Sequence, residues 1–571
     1  MLRSLVRFTT NSSSSLIYDR PIRRISFDVS RNLLRAHTLI RKCRRRINIL
    51  RRIVNLVTAA DFRKVLSLLE ASAADLRWLI SVFHVDDDGN NRDDVVLSLP
   101  PIASNDPILA WVWSYTATLQ MGSSLSGQVE AAHEIGVLAQ DNDRNKKMIV
   151  EEGGVPPLLR LLKEGTSVEG QIAAAVALNN VCNDRESVTT IVDNSGVPLI
   201  VQVLSNSSMR VQIKVSELIA KMAEFDDDGF VKEEFGRQNV ICHLVTLLSF
   251  ETFEDEFEVK KKVGSIHSIV EMNKEKSRES LKPRLYSSFS SLSSWSSEGG
   301  SSKGGGKARK ERENESSEVK KELKITCAKA IWMLAKNSVS NSSRITETKG
   351  LLCLAKLIEK HKDDLQKNCI MAIMEITCAA ESNPNLRRSA FKSNSPAAKA
   401  VVDQLIRVIT HSNDPISQLC ALRSIGYLSR TFSARDTRVI ASFVQQLSNP
   451  NQEVATEAAI GLAKFVDPEN FLCQKHSKAI IEHNGVVPLL RLLRASDKAL
   501  VHSLIVLCYL AINVSDDEAL EQARVLTALE GADRNLVAQH PQLKELIGKA
   551  LYNLDLYRGD GHSFRQSSMR I

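Results

Sequence analysis

Apolar residues recur along most of this chain at spacings of three and four, the pattern of helices that bury one face. From Leu33 to about Val57 they fall at Ala36, Ile40, Cys43, Ile47, Leu50 and Val54, which predicts one helix with a core-facing stripe and an outward arginine side. Further helical segments are predicted at 60–71 and 73–84, before DDDGNNRDD and the LPP at 99–101 break the periodicity. Residues 1–100 thus read as a small helical bundle.

Beyond the bundle the pattern repeats. EEGGVPPLLRLLKEG at 151 returns as DNSGVPLIVQVLSN at 193 and EHNGVVPLLRLLRAS at 482. Gly154 and Gly196 lie 42 residues apart, and the degenerate GRQNVICHLVTLL places Asn239 another 43 on. Glycine permits a sharp turn and proline suits a helix's first turn, so each echo predicts a short loop opening an apolar helix. A second apolar helix follows each: QIAAAVALNNVC, VQIKVSELIAKMA and LVHSLIVLCYLAINV. Such a period, with paired or tripled helices, predicts an all-α armadillo- or HEAT-type right-handed superhelical solenoid in which each unit buries its faces against its neighbours. The expected organisation is the basic N-terminal bundle over 1–100, repeats over 107–270, an insert over 271–321, more repeats over 322–557 and a disordered tail over 558–571. The insert holds SSFSSLSSWSSEGGSS and GGGKARKEREN, too poor in apolar surface to offset its ordering entropy, and reads as a disordered loop between two repeats.

Charge divides the chain differently. The net charge is +8, but residues 1–60 carry 14 Lys and Arg against Asp19 and Asp28, leaving a slightly acidic remainder. Only this head has an electrostatic case for binding phosphates. Its densest run, RKCRRRINILRR, sets Arg41, Lys42, Arg44, Arg45, Arg46, Arg51 and Arg52 on the predicted helix. Contact with anionic phospholipids is the favoured reading, at about 1 kcal/mol for each cation near the leaflet. A nuclear-localisation signal and a merely solvated arginine face are the rivals. The run lacks interleaved aromatics and any base-reading motif, so nucleic acid is not an expected partner.

Ten cysteines form no C-x-x-C pair, and Cys182, Cys369, Cys378, Cys420 and Cys508 fall inside apolar helical patterns, as buried thiols in a reducing compartment do. No run approaches the ~20 apolar residues of a membrane span. MLRSLVRFTTNSSSS has the composition of an organelle transit peptide. GGSSKGGGK fails as a phosphate loop, with Ser301 in the first glycine position and Ala308 in the Ser/Thr position, and neither H-E-x-x-H nor G-x-S-x-G occurs. No catalytic residue, metal or cofactor is expected; the chain does not read as an enzyme.

The sequence resembles the plant armadillo-repeat-only proteins through YDRPIRRI at 18, DNDRNKKMIVEEGGVPPLLRLLKEG at 141, RITETKGLLCLA at 344, RRSAFKSNSPAAKAVVDQL at 387, SIGYLSRTF at 424, NFLCQKHSKAII at 470 and LCYLAINV at 507. That family usually begins with a further helical segment, so Met1 reads as a truncated start. The arginine density at 41–46 exceeds what the resemblance calls for. The resemblance implies a non-enzymatic scaffold, cytoplasmic and peripheral to the plasma membrane of growing plant cells. Its implied partners are Rho-type small GTPases and their GTPase-activating proteins, at sites of polarised growth. A nuclear-transport or transcriptional adaptor and a ubiquitin-ligase-associated armadillo protein are the alternatives, although no U-box is recognisable.

Similarity to the armadillo units of importin-alpha and beta-catenin implies a peptide groove on the concave face, where an asparagine grips a peptide backbone beside a tryptophan four residues earlier. The asparagine position maps to Asn180, Lys221, Lys336, Thr377, Arg430, Lys464 and Asn513, and the tryptophan position to Val176, Glu217, Trp332, Ile373, Gly426, Ile460 and Tyr509. Four asparagine positions are thus basic, which predicts an acidic or mixed-charge protein segment in the groove.

Overall fold

The computed structural model describes residues 18–44, 58–83, 101–103, 107–122, 124–164, 167–252, 314–392, 394–433, 435–532 and 539–568. The chain divides into two compact units, one reaching to Val231 and the other beginning at Lys232.

The first unit opens with α1 (Arg20–Arg44) and α2 (Ala59–Phe83), which pack on each other. The helix predicted from Leu33 therefore begins thirteen residues earlier, at the arginine of YDRPIRRI. Pro21 sits in the first turn, where its missing N–H costs no hydrogen bond. The buried stripe is Ile25, Val29 and Asn32. Ile40 is 60% exposed, Cys43 is exposed, and Ile47, Leu50 and Val54 lie outside the described residues. The period was right and its extent wrong, because only the N-terminal half of α1 meets a full set of partners. There Tyr18, Ile25 and Val29 form one core with Leu76, Trp78 and Leu79 of α2 and with Leu109, Ala110, Trp113 and Ala117 of α3 (Pro107–Met121). Trp78 and Trp113 lie 5.9 Å apart between ring centroids.

After α3 and α4 (Leu125–Ala139) come three-helix repeats: α5 (Asp143–Glu151), α6 (Val155–Glu164) and α7 (Val168–Val181), then α8 (Arg185–Asp193), α9 (Gly196–Asn206) and α10 (Met209–Glu224). The unit boundary falls inside α11 (Phe230–Arg237). The second unit continues with α12 (Val240–Ser249) and α13 (Ser317–Ala335), then α14 (Val339–Glu347), α15 (Gly350–Lys360) and α16 (Asp364–Ser382). Next are α17 (Pro384–Ala390), α18 (Pro396–His411) and α19 (Pro415–Tyr427). One repeat then has its first helix reduced to the 3-10 turn Ser429–Thr431, ahead of α20 (Thr437–Gln446) and α21 (Gln452–Val466). The last are α22 (Cys473–Glu482), α23 (Val486–Leu492) and α24 (Asp497–Asn513), then α25 (Glu518–Gln522), α26 (Val525–Glu530) and α27 (Pro541–Ser568). Third helices pack on third helices: α4, α7 and α10 in the first unit, and α13, α16, α19, α21, α24 and α27 in the second.

The repeated glycine has a different task from the one expected. Left-handed backbone belongs to the residue before it: Ser195 (φ 58°), Lys349 (φ 62°) and Asn484 (φ 61°), with Gly153 (φ 80°) in the first repeat. The glycine itself is required by packing, since a Cβ at Gly154, Gly196, Gly350 or Gly485 would stand 2.7, 2.5, 2.7 or 2.6 Å from the Cγ2 of Ile149, Ile191, Ile345 or Ile480. A second device recurs at the next corner. The side-chain amides of Gln171, Gln212, Gln366 and Gln418 donate to the carbonyls of Leu162, Leu204, Ile358 and Ile409 at 2.8–3.1 Å. Each glutamine satisfies a carbonyl left open at the end of the second helix.

The insert enters within a repeat, not between two, because α12 and α13 pack together as second and third helices of one unit. α13 begins at Ser317, so the last residues assigned to the insert are helical, capped by Ser316; the part up to 313 lies outside the described residues. Its stem is anchored where Lys360 Nζ donates to the Thr252 carbonyl at 2.8 Å and Lys320 pairs with Glu251 at 2.8 Å. The tail expected from 558 is helical through Ser568. After Pro541 no proline interrupts the helix, and extending a helix already anchored through Leu543, Ile547 and Ala550 costs far less than starting one.

Candidate binding surfaces

The basic head is fastened to the first repeat at one carboxylate. Glu152 Oε2 accepts a 2.8 Å bond from the Trp113 indole, and Oε1 accepts one from Arg24, also at 2.8 Å. The Glu152 carbonyl accepts the Tyr18 hydroxyl at 2.7 Å, and the Glu151 carbonyl accepts Arg20 at 2.6 Å. Burial, helped by the Glu152 charge, pushes the Tyr18 phenol far above its ordinary range and keeps it a donor. YDRPIRRI is therefore a docking segment, with Tyr18, Arg20 and Arg24 on the repeat and Ile25 in the core.

Docking turns the opposite side of α1 to solvent. Phe27 and Leu34, seven residues apart and so on one line of the helix, are 68% and 64% exposed. Arg23, Arg31, Arg35, Arg41 and Lys42 flank them, all exposed. Arg23 pairs with Asp19, and Arg31 with Asp28 at 3.1 Å, whereas Arg41 and Lys42 form no ion pair among the described residues. Arg44 ends the helix, and Arg45, Arg46, Arg51 and Arg52 lie outside the described residues. Of the seven cations expected on this side only Arg41 and Lys42 have described side chains, and the same side carries two bare apolar residues that the sequence pattern had not singled out.

On the third helices of the first unit, Asn180 and Lys221 are both half-buried. The Asn180 amide donates to the Gly136 carbonyl of the preceding third helix at 3.1 Å. In the second unit Asn513 does the same, donating to Val466 at 3.1 Å and to Ser477 at 3.0 Å. Both asparagines thus spend their donors on joining neighbouring repeats.

The remaining predicted positions lie in the second unit. Lys336 is exposed at the end of α13, one turn after the half-buried Trp332, whose buried indole N–H lies beside the Glu375 carboxylate. Thr377 and Ile373 are fully buried, so the exposed stripe of α16 runs instead through Met371, Glu375 and Cys378. Cys378, expected in the core, is exposed; Cys182, Cys369, Cys420 and Cys508 are buried as expected. Gly426, in a tryptophan position, sits at a close helix approach: its Cβ would stand 3.4 Å from the Cα of Gly461 on α21. Lys464 pairs with Glu381 at 2.6 Å and lies 4.3 Å from the centre of the Tyr427 ring. Arg430, in the 3-10 turn, pairs with Glu469, and Tyr509 is half-buried on α24.

Residues between the predicted positions complete this face. Arg423 of α19 pairs with Glu457 of α21 at 3.1 Å. Burial raises the Glu375 carboxyl despite Lys336 and the Trp332 indole nearby. Burial, with Cys378 and Glu381 adding, raises the Tyr427 phenol to about 12. Glu375, Glu381 and Glu457 escaped the sequence reading because its frame attended to asparagine and tryptophan positions. The visible signal was acidic residues recurring on alternate third helices, α16 and α21. Among the described residues, no group of three or more His, Cys, Asp or Glu is placed to hold a metal ion, and no single helix is long and apolar enough to cross a membrane.

Residues 1–84 match the family model described as a domain of unknown function (DUF7792), and residues 142–183 match the Armadillo/beta-catenin-like repeat. A stretch of 123 residues is 30% identical to Protein CELLULOSE SYNTHASE INTERACTIVE 2 of Arabidopsis thaliana, covering 20% of this chain and only 6% of that protein. Among solved structures, the crystal structure of an engineered protein superposes with a TM-score of 0.56 at 20% identity, over 86% of this chain and 95% of that one. A designed armadillo repeat protein is matched at a TM-score of 0.39 and 16% identity, over 55% of this chain and 98% of that one.

Proposed function

We propose, from the premise that the chain is an armadillo-repeat protein, that it works as a scaffold: its third-helix faces hold protein segments while its head rests on an anionic plasma-membrane surface. The observation that carries this reading is the outward side of α1, where Phe27 and Leu34 stand bare among arginines. That combination suits a helix lying in a lipid interface, with apolar groups entering the acyl boundary and cations meeting phosphates. Partners of the Rho-type GTPase and GTPase-activating-protein class, at sites of polarised growth, extend the resemblance of YDRPIRRI, NFLCQKHSKAII and the intervening motifs to function.

Sedimentation of the full chain with phosphatidylcholine vesicles, with and without phosphatidylserine, tests the membrane part. Binding is expected only to the anionic vesicles. Replacing Arg31, Arg35, Arg41 and Lys42 by Gln removes about 1 kcal/mol each, a loss of roughly a thousandfold in partitioning. Equal binding to both vesicles, or no loss in the variant, overturns it. Nuclear enrichment of a fluorescent fusion that disappears with the same substitutions favours the transport-adaptor alternative.

A further inference from the structure

On three consecutive third helices of the second unit, α13, α16 and α19, the ionised residues change sign from one helix to the next. α13 presents Lys329 and Lys336, and α16 presents Glu375 with Glu381 at its edge. α19 presents Arg423, followed by Arg430 in the 3-10 turn, while Glu457 of α21 is itself buried and holds Arg423 from behind. Lys464 of α21 strengthens the order, because its ammonium reaches back over Tyr427 of α19 to Glu381. The positive charge of α21 is thereby delivered to the α19 column, between carboxylates on either side. Each sign is fixed by geometry: Arg423 is held by Glu457 at 3.1 Å, and Lys464 by Glu381 at 2.6 Å.

This order argues against a purely acidic occupant. The α16 column between the cations of α13 and α19 is acidic, so a run of acids meets the repulsion of Glu375 and Glu381. A segment of matching alternation exchanges ion pairs without placing like charges together, and like-charge juxtaposition is what discriminates between partners. Packed helices lie 8–10 Å apart and an extended chain advances about 3.3 Å per residue, so one sign change per helix corresponds to about three residues.

We propose that this face takes an extended protein segment whose acidic and basic residues alternate at about every third position, acid over α13, base over α16 and acid over α19. The inference rests on the third-helix faces being protein-binding, and it names the partner's charge order. Three labelled synthetic peptides of about nine residues, long enough for three helices at three residues each, test it against the full chain by fluorescence anisotropy. One alternates Glu-x-x-Lys with serine and threonine between, one has the same composition with its charges in two blocks, and one is all-Glu at the charged positions. The alternating peptide is expected to bind at least about tenfold more tightly than the other two. The variant Glu375→Lys with Glu381→Lys should erase that preference. Tightest binding of the all-Glu peptide, or equal binding of the alternating and block peptides, overturns the charge order while leaving a protein-binding face in place. Failure of all three to bind overturns both.

Discussion

Replacing Glu152 by Ala should loosen the head from the first repeat without unfolding the repeats themselves. The change strips the acceptor from the indole of Trp113, a side chain with 0% exposure. A buried donor left unpaired costs about 1–3 kcal/mol. The ion pair with Arg24 is lost as well, but Arg24 is 52% exposed, so its share is at most about 1 kcal/mol. The Tyr18 hydroxyl keeps its partner, because that bond goes to the backbone carbonyl. The sum, about 1–4 kcal/mol, bears on the joint between α1, α2 and α3. Hydrogen exchange resolved by peptide is the suitable assay, since a chain of two units does not unfold in one step. Amides of 20–35 and 70–83 should exchange roughly five- to several-hundredfold faster, at about 1.4 kcal/mol per decade, while those of α7 and α10 stay unchanged. Glu152→Gln retains a carbonyl oxygen for the indole and should fall well short of this. Equal acceleration in both variants would refute the assignment of the cost to the orphaned indole, and no acceleration in Glu152→Ala would refute the joint.

Gly196→Ala places a methyl 2.5 Å from Ile191 Cγ2 and equally close to the Ile191 carbonyl; a loss of about 1–3 kcal/mol is expected from overpacking, read as a lowered urea midpoint, and Ile191→Val should restore little because the carbonyl clash remains. Burial depresses His243, His361, His476 and His502, all in the second unit. The unfolded chain therefore takes up protons first as pH falls; stability is full above about pH 6.5 and is lost as pH drops through the lower folded values. Thermal denaturation at pH 7.5 and 5.5 should show the drop, and His476→Gln should reduce it, because Nε2 of His476 has no hydrogen-bond partner and its ring meets Phe465 edge-on at 5.2 Å. Phe27→Ser with Leu34→Ser should weaken vesicle binding while leaving the circular dichroism unchanged, both side chains being exposed.

The repeat was legible because its packing repeats in the letters. The five-residue interval from Ile149 to Gly154 recurs at Ile191 and Gly196, Ile345 and Gly350, and Ile480 and Gly485, and a methyl group facing a missing Cβ is a constraint that survives in sequence. The glutamines that close the second helices were equally regular, yet as polar residues in an apolar pattern they offered no signal to a search for hydrophobic period. The start of α1 was misplaced for a related reason. Ile25 and Val29 stand among arginines, and their burial depends on Trp78 and Trp113, distant in sequence, rather than on a local run.

The binding faces were legible only in part. Basic residues at Lys336, Arg430 and Lys464 suggested a positive groove, but a ladder position states where a side chain starts and not where its charge ends. Lys464 starts on α21 and places its ammonium over α19, against a carboxylate of α16. Arg430 likewise spends its guanidinium on Glu469. Long side chains on helices this close redistribute charge across one or two neighbours, so a column read from sequence and a column present in space differ by up to two repeats. The head was legible in part for a different reason. On α1 the helical period holds, with Ile25, Val29 and Asn32 buried and Arg31, Arg35, Arg41 and Lys42 exposed. Yet Ile40 and Cys43, which the same period had turned to the core, are exposed as well, because burial depends on the partners that each half of the helix meets and not on the period itself.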